Sequence, residues 1–132
     1  MQTVDCQQLL TNYSDWLRLG LKGVDVANGC RITTPFVDRH HDFLEVYISA
    51  LPSGQLRLSD DGYVIRDLEI SGFELEGERR HDALATILRS FDIRLAEDEL
   101  VAETTIDAFP RRKHDFIQAM LAIGEPCRLS GI

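Results

Sequence analysis

Residues 43–49 alternate cleanly, with Leu44, Val46 and Ile48 on one side and Glu45 and Tyr47 on the other. A period of two sustained over seven residues fits a strand with one wet face and does not fit a helix. Turn signals bracket this run. Asn28-Gly29 is the strongest hairpin signal in the chain and separates strand-like residues 23–27 from 30–36. Pro52-Ser53-Gly54 turns the chain into residues 55–59, where Leu56 and Leu58 flank Arg57. Pro35 lacks a backbone donor, so it weakens the end of the second strand or puts it on an edge. These segments predict an antiparallel meander.

Helical spacing takes over on both sides of it. Cys6, Leu9, Leu10, Tyr13, Trp16 and Leu17 make one apolar stripe over residues 5–21, expected to pack inward with Tyr13 and Trp16 in the core. Asp5 with Gln8 is a capping-box-like start, and Gly20 or Gly23 can end the helix. Asp60 can cap a short helix to about residue 70, with Tyr63, Val64 or Ile65, and Leu68 buried. Leu84, Ile87, Leu88 and Phe91 share a face over residues 78–91, with Glu78 and Arg89 suiting the helix dipole. Residues 92–105 read as a hairpin turning at Glu97-Asp98. A last helix over 110–123 opens at Pro110, shows Phe116, Ile117, Met120 and Leu121 on one face, and closes at Gly124 and Pro126. The tail after Glu125 is expected to be loose. With no repeat or linker, residues 1–132 read as one α+β domain: a meander sheet with an N-terminal, a central and a C-terminal helix.

The chain has 132 residues, 44% hydrophobic, enough for one core. Its net charge of −8 argues against direct general binding to nucleic acid and against anionic membranes. No apolar run approaches the ~20 residues of a membrane span. Residues 1–8 carry Asp5 and no base, unlike a secretory signal. Cys6, Cys30 and Cys127 are odd in number and form no C-x-x-C pair, so reduced thiols in the cytoplasm and no cofactor are expected.

The acids are unevenly spread. Residues 60–107 hold 14 acids and five bases, a net −9, against +1 for the remainder. A solvated surface that keeps the protein soluble is the plainer reading. The functional one is a negative wall, with Glu74, Glu76, Glu78, Glu97, Asp98, Glu99 and Glu103 as candidate partner-binding residues, meeting a basic protein surface. Arg111-Arg112-Lys113-His114 is the only basic run. It sits in a helix first turn where cations are disfavoured, and pairing with nearby acids is the plainer reading.

Asp38-Arg39-His40-His41-Asp42 is the densest polar cluster. Asp38, His40, His41 and Asp42 are weak metal-ligand candidates. If their loop met Asp60 and Asp61, the set Asp38, His40, Asp42, Asp60 and Asp61 would suit a metal-dependent hydrolase or nuclease. Turn chemistry explains the same residues: Asx turns for Asp38 and Asp42, a turn and helix cap for Asp60-Asp61-Gly62. No H-E-x-x-H, Walker loop or G-x-S-x-G elbow is present.

Ile32-Thr33-Thr34-Pro35-Phe36 with Asp38-Arg39-His40 and Asp42, then Leu58-Ser59-Asp60-Asp61-Gly62-Tyr63 with Asp67-Leu68 and Ser71-Gly72, then Lys113-His114 with Gln118 to Ala122, resembles the DUF1828 family. That resemblance covers about residues 33–123. It implies kinship with small bacterial and phage proteins without an assigned activity, similar to accessory proteins of mobile elements, and transfers no catalytic residue. The leading expectation is a non-enzymatic acidic binding or inhibitory protein of phage or mobile-element origin. It would dock on a basic surface of a nucleic-acid-processing or defence complex. The alternatives are the metal-dependent hydrolase and a homodimeric structural module, paired through an edge strand or the last helix.

Overall fold

The computed structural model describes residues 3–73 and 77–125. In chain order these form α1 (Cys6–Gly20), β1 (Lys22–Val26), β2 (Gly29–Val37), β3 (Phe43–Ala50), β4 (Leu56–Ser59), α2 (Tyr63–Ile70), α3 (Glu78–Ser90), β5 (Arg94–Ala96), β6 (Glu99–Thr104) and α4 (Phe109–Ile123). All strand pairings are antiparallel, in the order β1-β2-β3-β4-β6-β5. The first four strands are the expected meander, and the 92–105 hairpin joins its far edge through β6. The expected loose tail lies outside the described residues, as do Glu74 and Glu76 and the side chain of Glu78.

The alternation seen in β3 sets the two faces of the sheet. Leu44 and Val46 point into a core with Leu58 of β4 and Leu100 and Ala102 of β6. The helices cover this face. Val64, Ile65 and Leu68 of α2, Leu84 of α3, and Phe116, Ile117, Met120 and Ile123 of α4 are all buried against it. The opposite face carries charges in cross-strand pairs. Arg31 stands 3.1 Å from Glu45, Arg57 3.2 Å from Glu99, and Arg94 2.9 Å from Glu103. Each such pair is worth only about 0.2–1 kcal/mol, so the charges add little, although Ser59 and Val101 between them are buried.

The first hairpin is offset by one residue from the sequence reading. Gly29 lies in β2, opposite Val26, and the two loop residues are Ala27 and Asn28, with Asn28 at φ +72°. Gly29 is required for another reason: a Cβ there would stand 1.8 Å from the Ile48 carbonyl oxygen of β3. Pro35 occupies the β2 irregularity between Thr33 and Val37, beyond the last β1 pair (Lys22 with Thr33), so its missing N–H costs no ladder bond. Buried Thr34 stitches that bulge, donating from Oγ1 to the Leu44 carbonyl at 2.8 Å.

One expectation fails outright. Helix α1 forms, with Asp5 accepting from the Gln8 N–H at 3.1 Å, but it buries none of its residues. Tyr13 and Trp16 stack on one another, centroids 6.2 Å apart, out in solvent rather than in the core. The stripe is real; the sheet's helix-covered face is already filled by α2, α3 and α4, so no core is left for it.

Replacing Gly29 by Ala is expected to cost about 1–3 kcal/mol, because β3 backbone must shift to admit the methyl group. A urea midpoint unchanged from wild type would contradict the close approach.

Candidate functional site

The site begins with Asp60, which is 1% exposed. Its Oδ1 accepts the N–H groups of Gly62 at 2.9 Å and Leu100 at 3.0 Å, and its Oδ2 accepts that of Val64 at 3.0 Å. One carboxylate thus ties the end of β4 to the start of α2 and to β6. Desolvation by burial pushes its pKa up, against the pull of the three N–H groups, and Glu99 pushes the same way. Gly62 holds the N-cap position of α2, and Asp60 accepts the Val64 N–H of its first turn from two residues further out, with a third bond to a residue 40 positions away that no local signal reveals.

This tie sets two clefts side by side. The first, about 280 Å³, lies between β3 and α2 and is lined by Asp42, Glu45, Tyr47, Asp61, Tyr63 and Arg66 among others. The second, also about 280 Å³, is lined by Asp61, Arg66, Glu69, Glu97, Asp98 and Glu99. Asp61 and Arg66 belong to both. Glu97 and Asp98 form the β5–β6 turn, both with positive φ (+51° and +66°), as a two-residue type I′ hairpin requires. That backbone aims two adjacent acids into the second cleft. Glu45 is balanced by Arg31 and Glu99 by Arg57. Asp42, Asp61, Glu69, Glu97 and Asp98 have no cation within ion-pair distance among the described residues, and Arg66 has no carboxylate.

The proposed wall is therefore narrower than the sequence suggested. Glu97, Asp98 and Glu99 are in it. Glu103 is on the open sheet face with Arg94. Glu74, Glu76 and the Glu78 side chain lie outside the described residues. In exchange, the clefts gain Asp61 and Asp42, which the sequence reading placed in the alternative metal set, and Glu69, which it counted only in the acidic excess.

The 38–42 loop meets the start of α2, two residues past Asp61, through Tyr63. Tyr63 Oη donates to Asp38 Oδ2, and Asp38 Oδ1 accepts from His40 N at 2.8 Å and Asp42 N at 3.0 Å. Desolvation opposes ionisation of Asp38, but these bonds and the field of His40 outweigh it, and its pKa is lowered. Burial and the Asp38 charge raise the Tyr63 phenol well above its ordinary range. Beside them, His40 Nε2 lies 2.9 Å from Asp67 Oδ1, and Arg39 donates to Asp67 Oδ2 at 3.0 Å and Ser71 Oγ at 2.7 Å. Asp38 and His40 thus lock the loop to α2. His41, exposed, takes the left-handed position at φ +64°. Among the described residues no three His, Cys, Asp or Glu side chains are grouped to hold a metal ion.

The basic run is split: Arg112 and Lys113 are half-buried, while Arg111 and His114 are exposed. Arg112 donates to the carbonyls of Phe91 (2.7 Å), Asp92 and Glu103 (3.3 Å), pinning α4 to the end of α3 and to β6. Arg111 pairs with Asp115 at 3.2 Å, His114 meets Gln118 at 2.8 Å, and burial lowers the pKa of Lys113.

Among known proteins, the model of a domain of unknown function, DUF1828, matches residues 34–123, from the β2 bulge to the end of α4. No curated protein and no solved structure matches. Among the described residues, no helix is long and apolar enough to cross a membrane.

Asp60→Ala strips the acceptor from three N–H groups, two of them in buried bonds, and is expected to cost about 3 kcal/mol in chemical denaturation, with Asp60→Asn costing less. A loss under about 0.5 kcal/mol for the alanine variant would refute the tie. Glu99 supplies a pH signature. The Ser59 hydroxyl, then Arg57, hold its pKa below the ordinary 4.5, against desolvation. A lowered native pKa gives stability that is complete above the unfolded value and lost as pH falls through the native one. Glu99→Gln should flatten the stability profile below about pH 4.5, and an unchanged acid limb would contradict this.

Proposed function

The chain belongs to the DUF1828 family, and from that premise we propose that it is a non-enzymatic binding protein whose acidic clefts dock on a basic surface of another protein. The observation that carries the reading is the convergence of Asp42, Asp61, Glu69, Glu97 and Asp98, without counter-ions among the described residues, on two clefts that share Asp61 and Arg66. Acids placed only for solubility gain nothing from being gathered; spread charge does that work with less self-repulsion. Gathered carboxylates steer and orient a cationic partner. Arg66, between the clefts, gives the surface a register, since a partner that places an acid there and bases on either side fits better than a uniform polycation.

A partner of this kind uses its basic surface elsewhere for phosphate. The protein would occupy that surface and exclude the nucleic acid, which suits an inhibitory accessory factor acting on a nucleic-acid-processing or defence complex. The lock between the 38–42 loop and α2 holds the first cleft in shape before binding, which reduces the ordering cost of association.

Calorimetry against an arginine-rich peptide tests the charge complementarity. Binding is expected to weaken with salt, and Glu97→Lys with Asp98→Lys is expected to lower affinity on the order of tenfold, about 1.4 kcal/mol. Duplex DNA, as a control, is expected not to bind. Affinity that is flat across salt and indifferent to the reversal would overturn the reading.

A further inference from the structure

Helix α1 has fifteen residues and buries none of them. A helix of this length is marginal in water unless an apolar face is covered, and the face of α1 is strongly apolar. Cys6, Leu10, Tyr13, Leu17 and Gly20 follow a 4-3-4-3 spacing, the seam of two heptads. Leu9 and Trp16 flank that seam, each more than half exposed. Among the described residues, its close approaches to the body are at the end of the helix. Gly20 sits so close to Pro35 that a Cβ there would be 2.7 Å from the proline's, and Trp16 and Leu19 border a cleft that continues to Phe43.

We propose that α1 is the self-association surface of this protein, covered in solution by the α1 of a second copy related by a two-fold axis. Charge distribution argues for a second copy. Residues 1–37 hold three acids and three bases, so the entire net −8 lies in residues 38–132. Two such chains repel one another least through this neutral segment. The size of the patch also fits. Aromatic side chains carry roughly 150–250 Å² each, so Leu9, Leu10, Tyr13 and Trp16, all more than half exposed, offer roughly 500 Å². Phe43, 62% exposed and across the cleft from Trp16, extends the patch towards the roughly 800 Å² per partner of a standard interface. A solitary patch already at the top of the range for monomers marks an interaction surface. Finally, the seam is self-complementary: a two-fold axis lays the small residues Cys6 and Gly20 and the bulky Tyr13 of one helix against the same set in its twin. The sequence pointed to an edge strand or the last helix as dimer elements; α4 is buried on its apolar face, and α1 leads directly into the exposed edge strand β1.

Trp16 is the chain's single tryptophan, so it reports on this face without labelling. Light scattering on the full chain is expected to give twice the 15.0 kDa chain mass, with Trp16 emission shifting to the red on dilution as the mass halves. Salt should leave the dimer as tight or tighter, because it screens repulsion between two −8 bodies. Leu10→Glu with Leu17→Glu should give the single-chain mass. Leu10→Ala with Leu17→Ala, which keeps a strong helix former at both positions, should do the same with an unchanged urea midpoint for the body. A single-chain mass and dilution-insensitive emission at every concentration would overturn the proposal. So would a dimer that survives both double variants, or burial of Trp16 produced only by a different protein.

Discussion

The bonds from Asp60 to Gly62, Val64 and Leu100 are the constraint on which the rest of the molecule's acidic end depends. An ionised carboxylate in a buried place is costly unless each oxygen is satisfied by good donors. Here the donors come from two elements far apart in the chain, so satisfying the charge forces the start of α2 against β6. That places Asp61 and Arg66 beside the Glu97-Asp98 turn. The clefts are a consequence of this: their walls are surface side chains, but their position is fixed by a buried polar knot.

Much of this was legible in sequence because the signals were local. The alternation of Leu44, Val46 and Ile48 identified β3 and its core face, and Glu97-Asp98 between Leu95 and Leu100 identified the second hairpin. Asp60 read as an acceptor at the start of α2 from its neighbours alone. What was not legible was non-local. Nothing near Asp60 in sequence names Leu100 as a partner, and nothing near Asp38 names Tyr63. The Asn28-Gly29 pair marked a turn correctly but not its register, because Gly29 answers to the Ile48 carbonyl across the sheet rather than to the turn.

The apolar stripe of α1 shows a different limit. Periodicity establishes that a helix has an apolar face and says nothing of what covers it. The core was already closed by Val64, Ile65, Phe116 and Met120, so the stripe remained outside. The molecule therefore carries two unlike surfaces, the exposed apolar stripe of α1 and the acidic clefts, which meet at Phe43. Charge totals alone concealed this division, because the −9 stretch also contains acids already balanced by Arg39, Arg57 and Arg94.

An amide NMR titration of the full chain with the arginine-rich peptide tests the central claim most directly, since it locates contact residue by residue. The account predicts that shifts concentrate at Asp42, Asp61, Gly62, Glu69, Glu97 and Asp98, and spare the Arg94–Glu103 pair on the open sheet face. Shifts spread evenly over every exposed acid, Glu103 and Asp107 included, would show that the clefts are ordinary solvated surface and contradict it.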